Sequence, residues 1–231
     1  MRVLALGALF AVLAPTGVFA GGLQVSPTRL EVPVDRRSAA VLVRNTGSTS
    51  VLLHVESMQW SQRGGEDQYV ASTDLIVSPP VFSLAPGASQ LVRVGRRERS
   101  PATEQSSYRV FIQEVPPAAE VAAQELKVVL RIGIPALVTP VGTKPARPRW
   151  SLACENRETP ELRIVNEGGQ ALRFDTITVE APAATLAQHA VYVLAGQSRS
   201  LTLTGLPPST RNVDLQAVAG EDSYRASLRC E

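Results

Sequence analysis

The sequence predicts an all-β protein built from two immunoglobulin-like β-sandwich domains in tandem. Short segments with apolar side chains at every second position recur along the chain, separated by turns rich in glycine, proline and asparagine. A proline-rich stretch near the middle divides the chain, and similar turn sequences occur on both sides of it. About a hundred residues in each half is an ordinary size for one sandwich.

Residues 1–20 have the composition of a secretory signal peptide. Arg2 supplies a positive charge, about a dozen apolar residues follow, and the segment ends in residues suited to cleavage after Ala20. Cleavage there would leave 211 of the 231 residues and lower the formal net charge from +2 to +1. We therefore expect an exported protein, and this charge indicates neither nucleic acid nor an anionic membrane surface as a partner.

The first half, residues 21–140, contains about seven strand-like segments, as expected for one sandwich. The segments are 23–25, 39–44, 51–60, 75–77, 90–94, 108–112 and 126–138. Asn45-Thr46-Gly47 forms a turn that favours positive φ. The pair Glu66-Asp67 follows two glycines, and we expect it at a solvated loop tip.

Residues 141–148 predict a linker, and residues 149–231 predict the second sandwich. Prolines and a glycine in and beside the linker prevent regular structure. In the second half, Asn166-Glu167-Gly168 repeats the position of the earlier asparagine turn after a strand. A turn that begins with Leu-Ala and contains a glycine precedes a strand in both halves, as Leu84-Ala85-Pro86-Gly87 and as Leu194-Ala195-Gly196. These two similarities favour two related sandwiches, the second with fewer strands.

The run 126–138 is the most apolar strand-like segment of the mature chain. Its even positions form one apolar face at period two, whereas its odd positions are mixed. A strand with apolar residues on both faces is typical of the middle of a sheet, which is one interpretation of this run. Arg131 lies within it, and a charge there must be paired or must emerge into a cleft.

The two cysteines, Cys154 and Cys230, lie near the start and at the end of the second half. A disulfide between them is the default expectation for an exported chain, and two buried free thiols are the alternative.

Catalytic chemistry is not indicated by the sequence. His54 and His189 are isolated, and no group of residues has the spacing of metal ligands. No phosphate loop, nucleophile elbow or dinucleotide fingerprint occurs, and the pair Glu221-Asp222 is most simply explained as a solvated turn. We therefore expect a binding protein without metal, cofactor or small-molecule substrate, rather than an enzyme.

Three segments resemble the periplasmic pilus-assembly chaperones of the chaperone–usher pathway. The segments are Val25-Ser26-Pro27-Thr28-Arg29, residues 78–94 (SPPVFSLAPGASQLVRV) and residues 108–117 (YRVFIQEVPP). The ending Leu130-Arg131-Ile132-Gly133-Ile134-Pro135 resembles the archaic branch. The resemblance covers the first half in order and the second half by architecture.

The resemblance implies that the run 126–138 is lent to an immature pilin subunit that lacks its last strand. The expected donor face is Leu126, Val128, Leu130 and Ile132, with the opposite face of the strand in the chaperone's own core. In the family, two basic residues in the cleft between the domains hold the carboxylate at the subunit's C-terminus. These residues correspond to Arg29 and to Arg131, the latter one residue from the family position.

The same resemblance implies pilin subunits and an outer-membrane usher as partners, and a free chaperone of this kind can also self-associate. A charged triad that bridges the domains in the family is replaced here by Gln105 and Ile134, so we expect another device to set the domain angle. A structural pilin or adhesin subunit is the alternative function, and an exported hydrolase would need a catalytic constellation that the sequence does not offer.

Overall fold

A computed structural model describes residues 22–32, 38–97, 104–116, 128–155, 159–207 and 209–231. Within these ranges the chain forms strands and turns but no helix, and therefore no helix that could span a membrane. Residues 1–20, predicted as a signal peptide, and Leu126 lie outside the described residues.

In the described residues, ten strands belong to the first half of the chain and seven to the second. The first ten are β1 (Leu23–Ser26), β2 (Leu30–Glu31), β3 (Ser38–Asn45), β4 (Val51–Arg63), β5 (Glu66–Ala71), β6 (Leu75–Ser78), β7 (Val81–Leu84), β8 (Ser89–Arg96), β9 (Ser106–Glu114) and β10 (Arg131–Val138). The other seven are β11 (Pro148–Ala153), β12 (Glu161–Asn166), β13 (Leu172–Ala181), β14 (Ala184–Val193), β15 (Ser198–Thr202), β16 (Asn212–Ala219) and β17 (Asp222–Arg229).

Two sheets form the N-terminal sandwich. The first has the order β1-β3-β8-β6, and the second has the order β2-β10-β9-β4-β5, with β7 also paired to β4. Alternate residues of both sheets fill one core, which includes Val43, Leu53, Val92 and Ile112, all fully buried. Tyr108 lies at the edge of this core and donates a hydrogen bond to Asp74 (3.0 Å); burial, and then this carboxylate, raise the pKa of the phenol to about 12.

The C-terminal sandwich pairs the sheet β11-β12-β15 with the sheet β14-β13-β16-β17. Its core is separate and is centred on Phe174, which contacts Trp150 and Tyr224. Cys154 and Cys230 form the predicted disulfide, with Cα atoms 5.3 Å apart, next to the bridge between Leu152 and Cys230. The covalent bond therefore joins the first strand region of this sandwich to its last residues.

A buried asparagine in each sandwich confirms the internal similarity. Asn45 donates to the carbonyls of Thr49 and Leu84, and its Oδ1 accepts the N–H of Gly47. Asn166 repeats this pattern, donating to the carbonyls of Gln170 and of the β14 end, and accepting from the N–H of Gly168. One carboxamide thus closes a turn and satisfies distant backbone carbonyls in both halves.

The β4–β5 hairpin differs from the sequence prediction. Strand β4 continues to Arg63 rather than ending near Trp60, and Glu66 and Asp67 already belong to β5. The turn itself contains only Gly64 and Gly65, both with positive φ. The outer end of the hairpin contacts the C-terminal sandwich, as described below.

We predict that Asn166→Ala destabilises the C-terminal sandwich by about 2–3 kcal/mol, because buried backbone carbonyls and the Gly168 N–H lose their partner. Chemical denaturation followed by Trp150 fluorescence measures this change. Asn212→Ala, an exposed asparagine in the same sandwich, serves as control and should change stability by less than about 0.5 kcal/mol. Equal effects of the two substitutions would contradict the structural role of Asn166.

Replacing both Cys154 and Cys230 with serine should lower the unfolding midpoint of the C-terminal sandwich. The bond closes a sequence separation of 76 residues, for which the chain-entropy estimate is about 4 kcal/mol. Calorimetry of the oxidised wild type and the double variant tests this. An unchanged midpoint, or two free thiols by mass spectrometry of oxidised protein, would contradict the expectation.

Candidate functional site: the free edge and outer face of β10

Strand β10 has one fully paired edge and one edge that is largely free. It pairs with β9 along its whole length, from Arg131 opposite Gln113 to Val138 opposite Ser106. On the other side, β2 pairs only with Ala136 and Leu137. Residues 131–135 therefore have no strand neighbour on that side among the described residues.

The backbone groups that face this free edge follow from the ladder. The N–H of Glu114 donates to the carbonyl of Leu130 (3.0 Å), so the even residues of this segment bond toward β9. The odd residues point the other way, and the N–H of Val32 accordingly donates to the carbonyl of Leu137 (2.8 Å). Arg131 and Gly133 thus direct N–H and C=O groups to the free edge, whereas Pro135 has only a carbonyl to offer.

The even side chains of β10 face the N-terminal core. Ile134, Ala136 and Val138 are buried members of it, and Ile132 packs against it half-buried. The expectation that the face opposite the donor residues occupies the core is therefore wrong, because one continuous pleat places every even residue on the core side. Before the ladder begins, Val128 is 75% exposed and Leu130 is half-buried.

The odd side chains lie on the outer face, the side of this sheet that faces away from the N-terminal core. Gly133 lies opposite Phe111, and a Cβ at residue 133 would come within 2.8 Å of the Phe111 ring. Arg131 extends over the same ring, with Cζ 3.9 Å from its centroid, and pairs with Glu56 at 3.2 Å. Arg131 is thus held by an aromatic face and a carboxylate.

Two other arginines flank Pro135 on the outer face. Arg109 lies directly opposite Pro135 on β9. Leu30 pairs with Ala136 and is buried, and the preceding Arg29 pairs with Glu31 at 2.6 Å. Extending the β2 ladder by one residue would place Arg29 beside Pro135, with its side chain on the outer face. Two strand spacings separate the Cα atoms of Arg29 and Arg109, or about 10 Å.

With the ladder extended in this way, Arg29 would lie nearer to Arg109 than to Arg131. Arg131 starts β10, four residues from Pro135, which corresponds to about 13 Å along a strand. The sequence predicts a strand at Arg109 but no role for it in a site. Its place on the outer face could have been inferred from the sequence Tyr108-Arg109-Val110. Tyr108 and Val110 are core residues, so Arg109 between them lies on the opposite face of the strand.

Arg109 lies in an aromatic environment without a carboxylate partner among the described residues. Its Cζ is 4.1 Å from the ring centroid of Trp60 and 6.0 Å from those of Tyr69 and Tyr192. Its Nη2 donates to the Tyr69 hydroxyl at 3.5 Å. Aromatic faces stabilise a guanidinium electrostatically, yet leave its net charge uncompensated, so this position can accept an anion.

The two sandwiches contact each other beside Arg109, through hydrogen bonds of amide side chains. Gln62 donates to the carbonyl of Tyr192 (2.8 Å) and accepts the N–H of Leu194 (3.0 Å). Gln105 donates to Thr139 (2.6 Å) and accepts the N–H of Ala171 (2.8 Å). The domains are therefore joined largely by neutral amide hydrogen bonds in place of the family's charged triad. Ile134, at the second triad position, belongs to the N-terminal core.

Asp67 also belongs to this junction, which corrects the expectation of a solvated loop tip. Its Oδ1 lies 2.9 Å from Nη1 of Arg199 in the C-terminal sandwich, and the two groups form an ion pair whose angles are not those of a hydrogen bond. The same oxygen accepts a hydrogen bond from Gln62 at 3.0 Å. The hairpin extends far enough to reach the other sandwich, so a paired carboxylate is favourable there.

The two histidines do not share a site. His54 is half-buried in β4, and His189 is exposed on β14, with Nδ1 3.2 Å from the Thr176 hydroxyl. Across the described ranges, no cluster of three or more His, Cys, Asp or Glu side chains could hold a metal ion.

Comparison with known proteins identifies the family. Residues 22–144 match the family of pili and flagellar-assembly chaperones, PapD N-terminal domain, over more than half of the 231 residues. The chain belongs to this family. The match spans β1 to β10 and confirms the resemblance seen in the sequence.

Curated relatives and solved structures agree with this assignment. The chain is 24% identical to chaperone protein LpfB of Salmonella typhimurium over 95% of this chain and 87% of that protein. It is 29% identical to the uncharacterized fimbrial chaperone YcbF of Escherichia coli K12 over 53% of each, so that alignment spans about half of YcbF. These relatives are chaperones and do not support the alternative of a pilin or adhesin subunit.

Solved chaperone structures share the fold. A chain of the CsuC–CsuE chaperone–tip adhesion subunit pre-assembly complex, from archaic chaperone-usher Csu pili of Acinetobacter baumannii, aligns with a TM-score of 0.70 at 18% identity, over 91% of this chain and 99% of that one. A chain of the SafA pilin–SafB chaperone complex of Salmonella enterica gives 0.64 at 16% identity, over 91% and 97%. The predicted all-β, two-sandwich fold is thereby confirmed.

Proposed function

We propose that this chain is a periplasmic chaperone of the archaic chaperone–usher branch. It binds, folds and caps pilin subunits by strand addition and delivers them to an outer-membrane usher. The observation that carries this proposal is the free edge of β10 beside a half-covered apolar face. Residues 1–20 serve as the export signal, 21–140 as the subunit-binding domain, 141–148 as the linker and 149–231 as the second domain.

The donor face comprises Leu126, Val128, Leu130 and Ile132. In the described part these even residues continue the plane of the N-terminal core, becoming more exposed from Ile132 toward Val128. A subunit strand added at the free edge extends the sheet, and the even side chains then extend the core layer into the subunit's groove. The chaperone and the subunit thus share one continuous apolar layer.

The subunit's C-terminal carboxylate binds in the row of Arg29, Pro135 and Arg109. An exposed ion pair contributes little to stability, so Arg29 exchanges Glu31 for a ligand at low cost, and Arg109 has no carboxylate to release among the described residues. Arg131, the family-based candidate for the second anchor, instead fixes the start of β10 through Glu56 and Phe111.

The added strand runs parallel to β10. Its carboxylate lies at the level of Pro135, and its preceding residues pair with the free edge back toward Val128. The same edge is continued by β2, which is also parallel to β10. Pro135 has no N–H and marks where the ladder of the added strand ends.

Alanine substitutions of the three arginines separate their roles. Arg29→Ala and Arg109→Ala should each weaken capture of a co-expressed pilin about tenfold or more, because a charge-assisted hydrogen bond contributes about 1.5–3 kcal/mol. Arg131→Ala is the matched control and should retain most of the capture. Affinity purification from periplasm, with thermal midpoints of the free variants, measures both effects.

The anchor proposal is contradicted if Arg109→Ala captures the pilin as well as wild type does. A greater loss for Arg131→Ala than for Arg109→Ala, at equal thermal stability, would return the second anchor to Arg131.

Aspartate substitutions test which face of the donor segment enters the subunit. Val128→Asp should abolish capture and leave the free chaperone folded, because the exposed side chain would carry a charge into an apolar groove, at a cost of several kcal/mol. Val129→Asp introduces the same charge on the opposite face and should preserve capture. Thermal midpoints and pilin co-purification are measured on both variants.

Loss of capture in Val129→Asp but not in Val128→Asp would place the odd face in the groove. Unfolding of the free protein by Val128→Asp would make this segment an ordinary part of the core, as in the alternative interpretation of the run.

A further inference from the structure

The carboxylate of Asp67 connects the domain junction to the aromatic environment of Arg109. Its Oδ1 receives Gln62 Nε2 at 3.0 Å and lies 2.9 Å from Arg199 of the C-terminal sandwich. Its Oδ2 accepts from the Tyr69 hydroxyl at 3.5 Å. Since that hydroxyl in turn accepts from Arg109, also at 3.5 Å, polar contacts run from Arg199 to Arg109 through Asp67 and Tyr69.

A second connection runs through aromatic rings. Trp60, which is 2% exposed, stacks on Tyr69 with ring centroids 6.5 Å apart and contacts Tyr192 in an edge-to-face arrangement with centroids 5.3 Å apart. Tyr192 belongs to β14 of the C-terminal sandwich. The three rings around Arg109, those of Trp60, Tyr69 and Tyr192, form an aromatic box to which the other domain contributes Tyr192.

Gln62 determines where Tyr192 lies. Its carboxamide donates to the Tyr192 carbonyl and accepts the N–H of Leu194, two residues along. The backbone N–H of Gln62 also donates to the side-chain oxygen of Gln197. These bonds hold the end of β14 against β4, and Tyr192 is therefore held against Trp60.

We infer that Gln62 and Asp67 are positioning residues for carboxylate capture. They fix the position of the Arg109 guanidinium through the rings of Tyr192, Trp60 and Tyr69. The arrangement of the two sandwiches is thereby coupled to the binding of a subunit's C-terminus. This inference rests on the proposed anchor role of Arg109. Because coupling is reciprocal, binding of a carboxylate at Arg109 also favours the domain arrangement seen here.

Gln105 provides a matched control. It is a second largely buried junction amide, bonded to Thr139 and to the Ala171 N–H. Within the described ranges it forms no hydrogen bond with Asp67 or with the rings of Trp60, Tyr69 and Tyr192 around Arg109. Loss of Gln105 therefore weakens the junction without changing the direct surroundings of Arg109.

The test compares two synthetic probes on the full-length mature protein. Each is an acetylated nine-residue peptide of alternating valine and threonine, one ending in a free carboxylate and the other in an amide. The ratio of their dissociation constants isolates recognition of the charge from strand addition, which both peptides share. A purely structural contribution changes both constants equally and leaves the ratio unchanged.

Wild type should bind the acid at least tenfold more tightly than the amide. Asp67→Asn and Gln62→Ala should each reduce this ratio about threefold or more, while Gln105→Ala should retain it. Asp67 is a quarter exposed, so its variant keeps the test decisive if Gln62→Ala fails to fold. Fluorescence of Trp60, measured in a Trp150→Phe background, should change in both variants.

A wild-type ratio near one would overturn the anchor function, and the positioning role with it. A large wild-type ratio that stays unchanged in Asp67→Asn would overturn the positioning role alone and leave the anchor in place. An equal reduction in Gln105→Ala would assign the effect to the junction as a whole and would also overturn the specific roles of Gln62 and Asp67.

Discussion

The free edge of β10 is the constraint on which the rest of the structure depends. An unpaired strand edge is a hazard for uncontrolled association, and this one is limited at both ends. Arg131 places a charge at the start of the strand, whereas Pro135 removes an N–H just before β2 covers the edge. The edge that remains free is short and has a defined pattern of backbone hydrogen-bond donors and acceptors. The core-facing residues beside it are fully buried only from Ile134 onward.

Features of the fold that depend on local chemistry could be predicted from the sequence. Alternating apolar residues located most strands, and the asparagine turns at Asn45 and Asn166 indicated two related halves because each carboxamide acts on its own turn. The cysteine pair was predictable because the chain contains only two cysteines and is predicted to be exported. The strands and turns were predictable because the residues that determine them are near in sequence. The disulfide was predictable because two cysteines permit only one pairing.

Features that depend on distant neighbours could not be predicted. A strand with apolar residues on both faces has no local signal for which face meets the core, so the assignment for β10 required its pairing with β9. Arg109 acquires its importance from Trp60 and from Tyr192, which belongs to the other sandwich. Asp67 was expected in a solvated turn because the sequence did not show that the hairpin reaches Arg199.

The outer face carries three arginines whose surroundings, rather than whose charges, distinguish them. Arg131 and Arg29 each have a carboxylate within 3.2 Å, so a ligand must compete with Glu56 or Glu31. Arg109 is stabilised mainly by aromatic faces, and a cation–π contact lowers the cost of partial burial without using up hydrogen-bond donors. A guanidinium held in this way keeps donors for an incoming carboxylate, and the rings that hold it come from both sandwiches. The side chain best prepared for an anion is therefore also the one most dependent on how the two domains meet.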